Sequence, residues 1–338
     1  METFRTALKA QPAPFQISHE DRIMLVGSCF TEHIGERLAA FKFPILTNPF
    51  GIVYNPTSMI QGLERLAAGR HFFQEQDIFE YAGLWHSWAH HGRFSKPDKD
   101  EMLAGINAAY TEAVGFLQQT TRLLLTFGTA DVFMLKESSA APHGKKASAR
   151  IVANNHKMPA ALFSERRLTV PEIVHSTVEL LQKLKSSNEA LEVVLTVSPV
   201  RHLRSGMVAN QRSKATLVLA CAEICQRLPY AHYFPAYEML LDDLRDYRFY
   251  AADMVHPSEV AIQYIWDFFS NSFFSPQTKS LNERIGKITS AAKHRPFHPN
   301  TAEYRTFAQS QLAAIEQLRQ TWPELNFEQE IQWFQKNC

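Results

Sequence analysis

The stretch Ile23–Leu38, IMLVGSCFTEHIGERL, begins as an unbroken apolar run, halts at Gly27-Ser28-Cys29 and then turns amphipathic. A short continuous apolar run reads as a strand buried on both faces, and the amphipathic continuation predicts a helix over about residues 31–40. Two nucleophile types, Ser28 and Cys29, stand side by side where the strand hands over to the helix. Such a turn presents free N–H groups and the positive end of the helix dipole, which favours developing negative charge. The same residues also suit a plain turn in which Ser28 caps the helix. Local sequence leaves both readings open.

The alternation recurs along the chain. TRLLLTFG (Thr121–Gly128) and LEVVLTVSP (Leu191–Pro199) read as two further buried strands. Helices are expected over Thr57–Gly69, capped by Thr57 or Ser58, over Asp100–Gln119, and in VPEIVHSTVELLQKLKSS and KATLVLACAEICQRL. Buried strands alternating with helices predict an α/β fold with a parallel sheet covered on both faces. Ligands of such sheets lie at the carboxyl ends of the strands, which places Gly27-Ser28, Gly128-Thr129 and Ser198-Pro199 on one edge. Residues 70–98 and 131–165 break the rhythm and read as functional loops or locally ordered insertions. The expected organisation is one α/β domain over residues 1–275, with residues 276–338 as a charged helical extension packed on it.

Composition narrows the function classes. The chain has 338 residues, 45% hydrophobic and 20% charged, enough for a sizeable core. A net charge of +1 without a basic cluster gives no footprint for nucleic acid. METFRTALKAQPAPFQ lacks the apolar centre of a signal peptide, and no apolar run approaches the roughly 20 residues of a membrane span. Four irregularly placed cysteines argue against a disulfide framework and for a cytoplasmic chain with reduced thiols. Homo-oligomer formation is left open.

A serine hydroxyl becomes a useful nucleophile only when a base accepts its proton. FYAADMVHPSEVAIQYIW supplies a candidate: Asp253 and His256 are three apart, just ahead of Pro257 and a helix running to about Phe269. A carboxylate at that spacing can orient an imidazole, which then serves as general base; alone, the pattern equally reads as a helix cap. In GLWHSWAHHGRF, His86 and His90 are four apart, a metal-ligand spacing if the segment is helical; the other reading is an aromatic-rich lid, with His90 against substrate. His156 in VANNHK is a candidate substrate contact or a loop hydrogen bonder. Arg201 and His202 in SPVRH follow a strand end and could bind an anionic group.

Taken together, the chain resembles the GSCFA family of the SGNH (GDSL-like) hydrolase superfamily. The resemblance is carried by GSCFT (Gly27–Thr31), NPFGIVYNP (Asn48–Pro56), FGTADVF (Phe127–Phe133), VANNHK, TVSPVRH, SKATL (Ser213–Leu217), DLRDYRFYAADMVHP (Asp243–Pro257) and HRPF. It implies a three-layer α/β/α sandwich around a parallel sheet of about five strands, with flavodoxin-like topology. It also implies a Ser28–His256–Asp253 triad and an oxyanion hole formed by the N–H groups of Ser28 and Gly51. The sequence departs from the superfamily at Gly128-Thr129-Ala130, where Gly-x-Asn is expected. The Thr129 hydroxyl, or Asn154 or Asn155 from the insertion, could replace the missing amide; loss of one such donor typically costs about 10²–10³ in rate. Cys29, one residue past the serine position, is expected to point into packing. The implied activity is that of an esterase on a small acyl ester, such as acetyl on a carbohydrate, without metal or organic cofactor. The alternative is a binding or regulatory module that keeps the pocket without catalysis.

Overall fold

The computed structural model describes residues 6–69, 71–136, 150–293 and 301–336; position 70, residues 137–149 of the second expected insertion, and HRPF lie outside the described residues. The apolar run becomes β1 (Ile23–Gly27) and feeds directly into α1 (Cys29–Ala40), two residues earlier than expected. β2 (Ile45–Thr47) and α2 (Pro56–Ala68) follow. The cap of α2 is Asn55, whose Oδ1 accepts from the Ser58 N–H at 2.8 Å, not Thr57 or Ser58. β3 (Ile78–Tyr81) and β4 (Leu84–Ser87) form an antiparallel hairpin ahead of α3 (Lys99–Gln118). Next come β5 (Arg122–Phe127), β6 (Asp131–Leu135), β7 (Arg150–Val152) and β8 (Phe163–Arg167). α4 (Val170–Ser187) opens with a Thr169–Glu172 capping box. β9 (Glu192–Val197), α5 (Met207–Arg227), β10 (Ala231–Phe234) and the short α6 (Ala236–Glu238) complete the alternation. α7 (Glu259–Phe273), α8 (Pro276–Lys293), α9 (Ala302–Thr321) and α10 (Glu328–Lys336) end the chain.

The central sheet is parallel, five-stranded and ordered β10-β9-β5-β1-β2. Successive residues of β1 face opposite layers, as strand geometry requires. Met24 and Val26 pack with Met59 and Leu63 of α2, Ile106 of α3, Leu180 of α4 and Leu217 of α5. Ile23 and Leu25 pack with Phe30, Ile34 and Leu38 of α1 and Ile265 and Phe269 of α7. This is a three-layer α/β/α sandwich. Truncating a fully buried Leu25 to Ala would cost about 2–5 kcal/mol.

Both stretches that broke the rhythm contain β-structure of their own. The first holds the β3–β4 hairpin; the second contributes β6, β7 and β8 to a three-stranded antiparallel sheet. The last three helices build a separate apolar cluster around Ile285, Ile315, Phe327 and Phe334. It meets the sandwich through Lys42 just past α1, whose Nζ reaches the Glu330 carboxylate at 2.7 Å. Among the described residues no helix is long and apolar enough to cross a membrane.

Candidate active site

β1, β5 and β9 lie adjacent to one another or one strand apart, so Ser28, Gly128 and Ser198 emerge on one edge, as expected from the strand pattern. The strand order reverses between β1 and β5, the switch point where doubly wound folds bind ligands. Gly27 is required there by close approach: a Cβ would lie 2.5 Å from the Thr126 carbonyl oxygen of β5. Ser28 is the N-cap residue of α1, but its side chain makes no capping hydrogen bond. Its hydroxyl instead donates to Ser198 Oγ at 2.9 Å, with the residue 1% exposed.

Asp253 and His256 meet on the loop ahead of α7. Asp253 Oδ2 lies 2.6 Å from His256 Nδ1, and Asp253 Oδ1 accepts from the N–H groups of Val255 and His256 at 2.9 Å. These bonds to His256 and Val255 hold the carboxyl down at about 2. Among the described residues His256 Nε2 has no hydrogen-bond partner, and no bond joins His256 to Ser28. The two halves share a wall: Ser198 Oγ accepts from Val200 N–H at 3.3 Å, and Arg201 N–H donates to Val255 O at 3.2 Å.

Beneath this edge sits Lys214, which the sequence placed inside an amphipathic helix with no assigned role. It is 1% exposed, and Nζ donates to the carbonyls of Gly128 and Ser198, each at 2.7 Å. Burial pushes its amine down to about 7. Burial likewise raises the Cys29 thiol, which feels the charges of Glu32 and Lys214. Cys29, the first residue of α1, is half-buried, and its thiol is held in the poorly nucleophilic protonated form.

The expected oxyanion donors fare differently. Gly51 has φ +76°, and its N–H closes a turn onto Asn48 O at 2.8 Å, so that donor is committed within the protein. A side chain at 51 would collide with the His91 side chain, which explains the glycine without an acyl group. Thr129 Oγ1 accepts from Asp131 N–H at 3.0 Å and shares a proton with Ser213 Oγ at 3.0 Å; only when Ser213 is the donor is the threonine proton free. Asn154 Oδ1 accepts from His156 N–H at 2.8 Å, leaving the NH₂ end. Thr129 and Asn154 line one cavity of about 170 Å³, together with Tyr54, Asp131, Phe133 and His202.

The three expected substrate contacts, His90, His156 and Arg201, all have partners within the protein. His90 is 1% exposed, bonds Ser87 Oγ through Nδ1 at 3.0 Å and packs between Phe50, Phe73 and Phe94. Burial drives it down to about 3, so it is a neutral core histidine. His156 turns inward, its Nε2 donating to Ser87 O at 2.8 Å, and burial lowers it to about 4. Arg201 anchors the histidine loop: its guanidinium lies 4.1 Å from the Tyr250 ring centroid and donates to Met254 O at 3.3 Å. The metal spacing of His86 and His90 also fails, because His86 is on strand β4 and not on a helix. Among the described residues no group of three or more His, Cys, Asp or Glu side chains could hold a metal ion.

No curated relative matches the chain. Two family profiles do: the C-terminal domain of GSCFA domain proteins over residues 285–338, and the GSCFA family itself over residues 22–269. The latter spans β1 through α7, including both halves of the site, and the chain belongs to the GSCFA family.

Proposed function

We propose that the chain is a serine hydrolase of the esterase type, with the SGNH-like arrangement of Ser28, His256 and Asp253. The observation that carries this reading is the 2.6 Å Asp253–His256 bond on the same sheet edge as a serine hydroxyl that does not cap its helix. A capping serine would bond the first helical turn; this one is directed across the strand ends. In the reaction, Ser28 Oγ leaves Ser198, gives its proton to His256 Nε2 and attacks the ester carbonyl. The oxyanion forms over the N-terminus of α1. His256 returns the proton to the departing alcohol, and water then cleaves the acyl-enzyme by the same steps. Asp253 keeps the imidazole oriented and stabilises its protonated form.

The neighbouring cavity supports a small acyl ester of a carbohydrate or similar polyol. Tyr54 and Phe133 offer aromatic faces, and Asp131, Asn154, Asn155 and Glu165 offer hydrogen-bonding groups for hydroxyls. Cys29, Cys221 and Cys225 are free thiols, which supports a reducing, cytoplasmic setting.

One observation favours a second reading, a binding module without turnover: Ser28 is buried and bonded to Ser198, not to His256. Reaction with a fluorophosphonate probe and hydrolysis of p-nitrophenyl acetate separate the two. Under the hydrolase reading the wild type is labelled, and Ser28→Ala loses labelling and at least about 10³ in rate. Equal rates in wild type and variant would sink the assignment.

A further inference from the structure

A second cavity, of about 180 Å³, lies beside the wall of the first and shares only Ala153 with it. It is bounded by α2, the β3–β4 hairpin segment and β7, and none of Ser28, Asp253 or His256 lines it.

Two guanidinium groups line it. Arg65 of α2 lies 3.7 Å from the Phe73 ring centroid, with Nε on His71 O at 2.8 Å and Nη2 on Phe72 O at 3.1 Å. These bonds fix the plane of the group and leave Nη1 uncommitted among the described residues. Arg150 of β7 lies 5.8 Å from the Trp88 ring centroid, and none of its N–H donors has a hydrogen-bond partner among the described residues. Among the described residues the only carboxylate on the lining is Asp77, 3.4 Å from Arg65 Nη2. Two cations therefore face one anion, in a cavity whose other walls include Phe50, Phe73 and Trp88. Arg65 thus offers Nη1, and Arg150 its whole planar fork, to an oxyanion.

We propose that this cavity binds the phosphate or carboxylate group of a small organic anion, clasped between Arg65 and Arg150 with its apolar part against Trp88 and Phe73. The site is independent of the hydrolase reading. Occupancy ties β7 to α2, and β7 leads into Asn154 of the first cavity.

Phenyl phosphate and benzoate serve as probes, titrated calorimetrically against the full chain and followed by thermal shift. At least one binds the wild type and raises its melting temperature, and the stronger of the two identifies the anion class. Arg150→Gln, which removes no hydrogen bond of the folded protein, weakens binding about tenfold. Asp77→Asn keeps an acceptor for the Gln74 N–H but removes the competing charge, and binding tightens several-fold. Failure of both probes at millimolar concentration, or unchanged affinity in both variants, would overturn the proposal.

Discussion

Ser28 is 1% exposed and tied to Ser198, whereas Asp253 and His256 ride a loop with 49% and 41% of their side-chain surfaces open to solvent. The serine half is built from strand ends, where the backbone is fixed by sheet pairing, and Lys214 draws two of those ends together from below. The histidine half is built from turns: Met254 has φ +59°, and the loop is held by the Ala251 N–H to His256 O bond and by Arg201. One half is therefore rigid and closed, the other partnered and open. Under the hydrolase reading, turnover requires Ser28 to give up Ser198 as acceptor while the histidine stays in place. A buried lysine, a loop-holding arginine and a resting acceptor are the three points at which that contrast can be tested.

The largest effect concerns Lys214. Its folded-state value near 7 lies below its ordinary value of 10.5, so between those limits the unfolded chain holds a proton that the native state has shed. Stability accordingly rises with pH across that window, by on the order of 5 kcal/mol. Lys214→Met abolishes this slope. At neutral pH the variant loses two bonds to buried carbonyls, about 1–3 kcal/mol each, but also sheds the cost of burying an amine. These terms are comparable, so the variant stays within about 2 kcal/mol of wild type at pH 7 and falls behind as pH rises. Denaturant unfolding at pH 7 and pH 10 checks this. Parallel curves for the two proteins would show that Lys214 keeps its proton in the folded state.

Arg201 tests the open half. Its backbone N–H bond to Val255 survives the change to methionine, so Arg201→Met removes the carbonyl bond to Met254 and the contacts with Tyr247 and Tyr250. The loop carrying His256 loosens, and under the hydrolase reading misplacement of this base lowers kcat by about tenfold with little change in KM. Arg201→Lys restores the cation over the ring and recovers part of the loss. A rise in KM at unchanged kcat would mean that Arg201 binds substrate after all, the role its position past a strand end suggested.

The sheet was legible because its strands, Ile23–Gly27, Arg122–Phe127 and Glu192–Val197, are buried on both faces and so read as continuous apolar runs. Asp253 and His256 were legible because their contact is local, three residues apart. What escaped depends on partners remote in sequence. Nothing near Gly51 announces that His91 packs against it. His86 and His90 share a spacing that fits a helix, but the segment pairs as a hairpin, and Phe50 and Phe73 enclose His90. A lysine in an amphipathic helix reads as solvated, and only the carbonyls at the ends of β5 and β9 explain a buried one. Ser198 was placed on the ligand edge by its strand, but its bond to Ser28 escaped, because the two are 170 residues apart.

The smallest expected effect is also the most discriminating for the closed half. Ser198→Ala removes the acceptor of the Ser28 hydroxyl and leaves a buried donor unpaired, costing about 1 kcal/mol of stability. If Ser198 only holds the hydroxyl at rest, losing it favours the rotamer in which Ser28 turns toward His256. Hydrolysis of p-nitrophenyl acetate and the rate of fluorophosphonate labelling then rise a few-fold, since an acceptor bond worth about 1 kcal/mol no longer competes. If Ser198→Ala instead silences labelling as fully as Ser28→Ala does, the hydroxyl pair acts as one unit, and the chemistry runs through Ser198 toward the segment that Lys214 supports.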